Sequence, residues 1–368
     1  MKYLTEAFNL ELKLNSEKEI NVKKKKVIIG LSGGIDSAAS AYLLKNEGYE
    51  VIGVTFNFLD AENTINAAGL VAEKLKIEHH VLAVQKQFKE KVVDPFIAGY
   101  QQGETPNPCM LCNQNMKFKL LGEFAAANGD AMIATGHYAE IRKYKNEYQL
   151  WASPNPNKDQ SYFLYHLDQE RLGRLLFPLN RFESKAAVRE IILDLLPELS
   201  RGKESQGICF IPKKGHGLFL KDAVFGNNPT APGNFVDITG KILGRHPGIH
   251  QFTLGQTRGL GINSDQRLAV VEVIPATNTV VLDEEQALYQ SCIFVDELII
   301  QSPKGLPETG FTFKTCRWGH EYEGRIERIS RTQAIVHSHV PVRAPALGQA
   351  LVFYQGRQVL GGGIIKRF

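Results

Sequence analysis

The sequence predicts an α/β protein: a doubly wound parallel sheet with helices on both faces, followed by a β-rich C-terminal part of the barrel or sandwich type. Three observations carry this. Short apolar runs alternate with helical patterns along the first third of the chain, the spacing that parallel βαβ units require. Pro and Gly density rises between Pro212 and Pro247, marking a boundary. Beyond it, turn signals separate short β-patterned runs, as in small all-β domains. At 368 residues the chain exceeds one ordinary core, so two or three domains are expected.

The elements follow in order. Residues 1–22 read as a loosely attached extension, and the Lys23–Lys26 run as a solvated lead-in to the first strand, "KVIIGL". A Gly-rich turn and a helix, "AASAYLLKNEG", come next, with Gly48 suited to a left-handed C-cap. "EVIGVTFNF", a helix over Ile65–Lys76 and "HHVLAV" continue the alternation. Gln114–Asn128 reads as a helix closed by Gly129, and "AMIATGHY" as a buried strand. Residues 170–196 read as helical, with Leu172, Leu175, Leu176, Val188, Ile191, Ile192 and Leu195 at helical spacing. The β-patterned runs are "LAVVEVI", "NTVVLD", "IFVDELII", "TFKTCRW", "EGRIERI", "QAIVHSHV", "ALVFYQG" and "QVLGGGII".

Composition narrows the class. No apolar run reaches the roughly 20 residues that span a bilayer, and the mixed-charge N-terminus resembles neither a secretory signal nor a transit peptide. A cytoplasmic address without membrane partners follows, where the five cysteines are expected reduced, catalytic or metal-bound. Net charge is +4, unevenly spread: from residue 301 onward ten Lys/Arg face four Glu, which leaves −2 for the rest. A basic C-terminal segment suits a polyanion such as RNA and is equally compatible with a merely soluble basic domain.

"GLSGGIDS" (Gly30, Leu31, Ser32, Gly33, Gly34, Ile35, Asp36, Ser37) joins the first strand to the first helix. Gly33 and Gly34 permit positive φ and close backbone approach, and the following helix N-terminus adds an anion site. Ser32 and Ser37 add hydroxyls, while Asp36 beside phosphates makes sense as a partner of Mg²⁺ or of the helix N-terminus. The stretch is neither a Walker A loop nor a dinucleotide fingerprint. It matches S-G-G-x-D-S, the pyrophosphate loop of enzymes that cleave ATP between the α and β phosphates and adenylate a substrate.

Further stretches extend the match: "TPNPCMLCNQNMKF", "ATGHYAEI", "NKDQSYFLY", "ESQGICFI", "FTLGQTRGLGI" and "LGQALVFYQG...LGGGII". In this order, from about residue 26 to the end, the chain resembles the bacterial-type tRNA-specific 2-thiouridylases. The resemblance implies a pyrophosphate-loop catalytic domain over 23–212, a central mainly β domain over 213–287 and an RNA-binding β-barrel over 288–368. It also implies an ATP- and Mg²⁺-dependent reaction on the anticodon loop of tRNA. O2 of the wobble uridine is adenylated, and a protein persulfide then delivers sulfur to C2. The persulfide would be loaded by a sulfurtransferase or a cysteine desulfurase.

Residue by residue, Cys209 matches the persulfide-bearing cysteine and Cys112 its catalytic partner. Cys112 is placed at a helix start, where the dipole would lower its pKa. Asn107, Pro108 and the Cys109 position match the loop around the flipped uridine. Phe56 and Gly136 match positions near the adenosine. His137, Lys158, Asp159 and Gln160 match tRNA-contacting positions, although Asp159 suits orienting its neighbours better than touching a polyanion. In the barrel, Arg317, Trp318 and Gln349 match further RNA contacts, and an Arg–aromatic pair can stack on an unpaired base. Trp318 is also open to a core reading. Cys292 and Cys316 stand outside these motifs and read as structural.

One departure opens an alternative. Many members carry Asp where this chain has Cys109. Cys109, Cys112 and Cys209 together would also suit a [4Fe–4S] cluster with one open iron. Other competing readings are amidation or lysidine formation on RNA by the same loop, and an RNA-binding protein with a relic ATP loop.

Overall fold

The computed structural model describes residues 25–197, 199, 207–211, 217, 219–220, 232–264, 266–302 and 305–368. The N-terminal extension, the first half of the lysine run and Lys304 lie outside the described residues. A five-stranded sheet forms the first unit: β1 (Lys26–Gly30), β2 (Glu50–Asn57), β3 (Glu78–Ala83), β4 (Met132–Ala134) and β7 (Leu175–Leu176), in the order β3-β2-β1-β4-β7. Every pairing in it is parallel. Alternate residues of β1 feed opposite layers, which is why the strand is apolar throughout. Val27 and Ile29 pack with α1 (Ile35–Asn46), α2 (Glu62–Leu75) and α7 (Lys185–Ile192) through Leu44, Val71 and Ile192. Ile28 faces Phe118 and Leu121 of α5 (Phe118–Ala127) on the other side.

The single helix expected over 170–196 is four pieces. α6 (Gln169–Arg174) gives way to β7, then a 3₁₀ turn over Pro178–Arg181, then α7, whose N-cap Ser184 accepts from Ala187 N at 3.2 Å. Pro178 cannot continue a helix. Leu175 and Leu176 are instead recruited beside β4 as the fifth strand. Their apolar spacing is compatible with both states, and the free sheet edge decides.

Two β units complete the molecule. A four-stranded sheet, β10-β11-β8-β9, contains β8 (Gly233–Val236), β9 (Ile242–His246), β10 (Leu268–Ile274) and β11 (Thr279–Glu284). β8 and β9 fall in the Pro/Gly-dense stretch and carry no strand expectation. A closed six-strand barrel follows, made of β12 (Tyr289–Ile300), β13 (Phe311–Lys314), β14 (Tyr322–Arg328), β15 (Ala334–Arg343), β16 (Ala350–Gln355) and β17 (Gln358–Ile365). β12 pairs with both β15 and β17, which removes the free edges.

The barrel is not separate from the first sheet. A hairpin, β5 (Ala139–Tyr144) and β6 (Glu147–Ala152), leaves the α/β unit and joins β17 through Gln358 opposite Trp151. Arg357 reaches back to Ala152 O at 2.6 Å and Glu140 at 3.1 Å. Leu150 and Tyr162 share one buried core with Ala350, Val352 and Val359. Much of the basic tail serves this assembly: Arg343, Arg357, Lys366 and Arg367 pair with Glu285, Glu140, Glu104 and Glu272.

Barrel closure depends on Gly361. It sits at φ +146°, opposite Ile300, and a Cβ there would collide with the Ile299 carbonyl oxygen. Gly361→Ala is expected to cost about 1–3 kcal/mol by overpacking, read as a lowered melting temperature by circular dichroism. An unshifted melt would show that β12 and β17 separate without penalty.

Candidate active site

The strand order reverses direction between β1 and β4, and the chain leaves both strands at their carboxyl ends. Ligands of open α/β sheets bind at such switch points. The β1–α1 loop occupies this one. Gly33 sits at φ +70°, and a Cβ would lie 2.8 Å from Ala67 Cβ and 3.0 Å from Thr64 O, so the loop is pressed against α2. Gly34 departs from expectation: as N-cap of α1 it is extended, at φ −92° and ψ 161°, so its small size matters rather than a positive φ. Ser37 Oγ accepts from Ser32 N at 3.2 Å and donates to Gly34 O at 3.0 Å, fixing the turn. Leu31 is drawn into the sheet, its N donating to Val54 O at 2.8 Å and its O accepting from Thr55 at 2.9 Å. Gly30 ends β1, and the half-buried Ile35 packs beside the α1–α2 layer. Exposed polar groups are therefore concentrated at Ser32–Gly34.

Asp36 is tied to two other segments. Its carboxylate accepts from Tyr138 Oη at 2.9 Å and Lys185 Nζ at 3.1 Å. Tyr138 N in turn donates to Gln160 Oε1 at 3.0 Å, and Gln160 N donates to Tyr138 O at 2.9 Å. Gln160, Tyr138, Asp36 and Lys185 thus tie the 153–160 loop to the helix behind the phosphate loop. Sequence reasoning missed Tyr138 and Lys185, and only Tyr138 lay within a quoted motif. Gly136 closes the same corner: a Cβ would lie 2.8 Å from both Asp36 C and Ser37 N.

The cysteine segment is helical earlier than its sequence suggests. Asn107 is an N-cap, accepting from Cys109 N at 3.2 Å and Met110 N at 3.4 Å, with Pro108 opening α4 (Pro108–Cys112). A π-helical turn over Asn113–Lys117 then leads into α5. Such turns occur at functional sites because they re-aim side chains. Upstream, Gly103–Pro106 is clamped by all three units. Gly103 abuts Val273 O, Thr105 N donates to Leu347 O at 2.7 Å, and Gln349 Nε2 donates to Thr105 O at 2.7 Å.

Cys112 is therefore the fifth residue of α4, buried beside Phe88, Val92 and Met116, and not at a helix start. Burial outweighs the dipole and pushes its thiol up to about 11, against a downward pull from Lys117. Cys109 and Cys209 are also pushed up, first by burial, and both are drawn back by Lys117. Cys209 raises the Cys112 thiol and Cys109 raises both others, so the three thiols lie within electrostatic reach of one another. Next to Cys209, Phe210 anchors its segment on Phe88 and Phe96, at ring separations of 5.8 Å and 5.4 Å. Phe56 stacks on Phe58 at 5.5 Å and packs against the same cluster. Lys117 is the shared cation of the site, and sequence reasoning passed over it. Replacing Lys117 with Met is expected to slow iodoacetamide labelling of Cys112 at about pH 8, because the thiolate loses a stabilising charge and its pKa rises further. Peptide mass spectrometry reads the rate, and an unchanged rate would assign the shift to burial alone.

The arrangement does not fit the cluster alternative. Among the described residues no group of three or more His, Cys, Asp or Glu is placed to hold a metal ion. Cys112 is buried in an apolar cluster while Cys209 is exposed.

Around the thiols, His137 bonds Thr135 Oγ1 at 2.8 Å, beside Phe118. Burial first, then Lys117, His166 and Arg317, push it down to about 3, so the imidazole is neutral. Asp159 accepts from Ser153 N at 2.8 Å, Ser161 N at 3.1 Å and Ser161 Oγ at 2.9 Å. Arg317, from the barrel, donates to Asp159 O at 3.0 Å and Lys158 O at 3.3 Å. Its guanidinium lies 4.2 Å from the ring centre of Trp318, which is 65% exposed and so not core. Cys292 and Cys316, expected to be structural, are exposed as well.

Comparison with known proteins agrees with this architecture. Residues 25–213 match the tRNA methyl transferase HUP domain, 219–283 the tRNA methyl transferase PRC-barrel domain and 299–365 the aminomethyltransferase beta-barrel domain. A Clostridium perfringens protein named tRNA-specific 2-thiouridylase MnmA is 37% identical over 359 residues, covering 93% of this chain and 99% of that protein. This chain belongs to the tRNA-specific 2-thiouridylase family. A Clostridium botulinum member is 38% identical over 369 residues, covering 94% of this chain and all of its own length. One from Lachnoclostridium phytofermentans is 37% identical over 357 residues, covering 93% and 99%. Like them, the chain is a transferase of tRNA modification with an ATP-type HUP domain. Among the described residues no helix is long and apolar enough to cross a membrane.

Proposed function

We propose that this protein replaces O2 of the wobble uridine of tRNA with sulfur, using ATP and a cysteine persulfide. The observation that carries the reading is that Cys209 and Cys109 both raise the Cys112 thiol while Lys117 draws Cys112 and Cys209 back, which gathers the three thiols around one cation. ATP enters as its Mg²⁺ complex, its phosphates on the Gly33 and Gly34 amides, the Ser32 hydroxyl and the N-terminus of α1, with Ser37 holding the turn. Phe56 and Gly136 border the adenosine. O2 of the uridine attacks the α phosphorus, and pyrophosphate leaves.

Sulfur delivery balances with two thiols. The outer sulfur of a Cys209 persulfide attacks C2 and displaces AMP, leaving the base joined to Cys209 through a disulfide. Cys112 then attacks the Cys209 sulfur, a Cys112–Cys209 disulfide forms, and the thiolated base departs. A high Cys112 pKa suits a resolving thiol held back until the mixed disulfide is in place. Asn107, Pro108 and Cys109 shape the pocket of the flipped base. His137, Lys158, Gln160, Arg317, Trp318 and Gln349 line the approach of the anticodon loop, with Trp318 offering a stacking face. The reading includes a cytoplasmic setting, a persulfide-donating sulfurtransferase or cysteine desulfurase as partner, and division into units at 23–212, 213–287 and 288–368.

The test incubates unmodified tRNA with enzyme, ATP, Mg²⁺ and a persulfide source, then digests it for nucleoside mass spectrometry. Appearance of 2-thiouridine supports the reading. Its absence, with pyrophosphate still released, would move the chain to another adenylation-dependent RNA modification.

A further inference from the structure

Three neighbouring barrel strands carry a cysteine, a histidine and a glutamate in line. Cys292 on β12 stands directly opposite His337 on β15, and β14 runs along the other side of β15 with Arg325 opposite His337. The side chains meet outside the barrel. Cys292 Sγ is 3.4 Å from His337 Nδ1, and His337 Nε2 is 2.9 Å from Glu327 Oε2. Cys292 is exposed, and the His337 and Glu327 side chains are 25% and 54% exposed. Arg325 lies 4.0 Å from the same Glu327 oxygen, and the next pair along, His339 and Glu323, is 3.8 Å apart. The inward neighbours Ile293, Val336 and Ile326 form the core, so barrel packing does not call for this polar line.

Nucleophile, base and orienting carboxylate in hydrogen-bond sequence is the arrangement that activates a thiol. We propose that Cys292 is a second nucleophilic site of this protein, a surface thiol assisted by His337 and Glu327 for exchange with sulfur–sulfur bonds. His337 Nδ1 takes the thiol proton while Nε2–H is held by Glu327. The sulfur of Cys292 attacks one sulfur of R–S–S–R′, the reagent's S–S bond breaks, and Cys292–S–S–R forms. R′S⁻ leaves and collects the proton from the imidazolium. No electrons are gained or lost overall, and no further oxidant is required. A low-molecular-weight disulfide and a persulfide share this chemistry; with a persulfide, attack on the outer sulfur yields Cys292–S–SH and a departing thiolate.

The test exposes the full-length protein separately to oxidised glutathione and to glutathione persulfide, and follows each cysteine by peptide mass spectrometry. Cys292 is expected to react faster than the same cysteine in a free peptide spanning residues 289–295. His337→Asn is expected to slow it about tenfold, and Glu327→Gln less, with labelling of Cys316 unchanged as an internal control of folding. A mixed disulfide in the first arm or a persulfide in the second identifies the natural reagent. Reaction in neither arm, a rate no higher than the peptide's, or indifference to His337→Asn would overturn the proposal.

Discussion

Cys209→Ser and Cys112→Ser are each expected to abolish 2-thiouridine formation while leaving tRNA-dependent pyrophosphate release within about twofold of wild type. The two half-reactions separate because they use different atoms of the site. In the proposed scheme adenylation draws on the Ser32–Gly34 loop and the base pocket, while Cys112 sits in the apolar layer of Phe88 and Met116 and Cys209 is exposed. The two variants should also differ from each other. Without Cys209 there is no persulfide, so the adenylated tRNA returns to uridine by hydrolysis. Without Cys112 the base is trapped on Cys209, and a protein–tRNA adduct that collapses with dithiothreitol is expected on denaturing gels. Loss of pyrophosphate release in both variants would mean that the thiols serve adenylation. Thiolation surviving in either would overturn the two-thiol scheme.

How much of this was legible in the sequence depends on the range of the interactions involved. Strands such as Leu268–Ile274 and Gln358–Ile365 coincide with their apolar runs, because a two-residue period is local. The helix expected at 170–196 failed at Leu175 and Leu176, where recruitment beside β4 overrode spacing. The β5–β6 hairpin drew no expectation, since its reason for existing is a barrel edge about 200 residues away in sequence. The candidate site shows the same division. The glycines and serines of the phosphate loop announce themselves, and so do the cysteines. Lys117 does not: its importance lies in standing near four groups from three segments, Cys109 and Cys112, His137, and Cys209. The direction of the Cys112 shift was likewise unreadable. A helix start was apparent, but the depth of burial that reverses its effect is a tertiary property.

Gly136→Ala should strike adenylation rather than sulfur transfer. The added methyl would sit 2.8 Å from Asp36 C and Ser37 N, both backbone atoms of the first turn of α1. Backbone cannot swing aside as a flexible side chain would. Asp36 is further pinned by Tyr138 and Lys185, so the strain passes to the loop proposed to hold the phosphates. An overpacking cost of about 1–3 kcal/mol falling on ATP-bound geometry corresponds to roughly a tenfold to hundredfold loss in kcat/KM for ATP. The measurement is pyrophosphate release against ATP concentration at saturating tRNA, alongside exchange of a Cys209 persulfide with Cys112 in the absence of ATP, which should be unaffected. Wild-type ATP kinetics in this variant would mean that β4 moves away from α1 freely, and the switch-point crevice would lose its role as the nucleotide site.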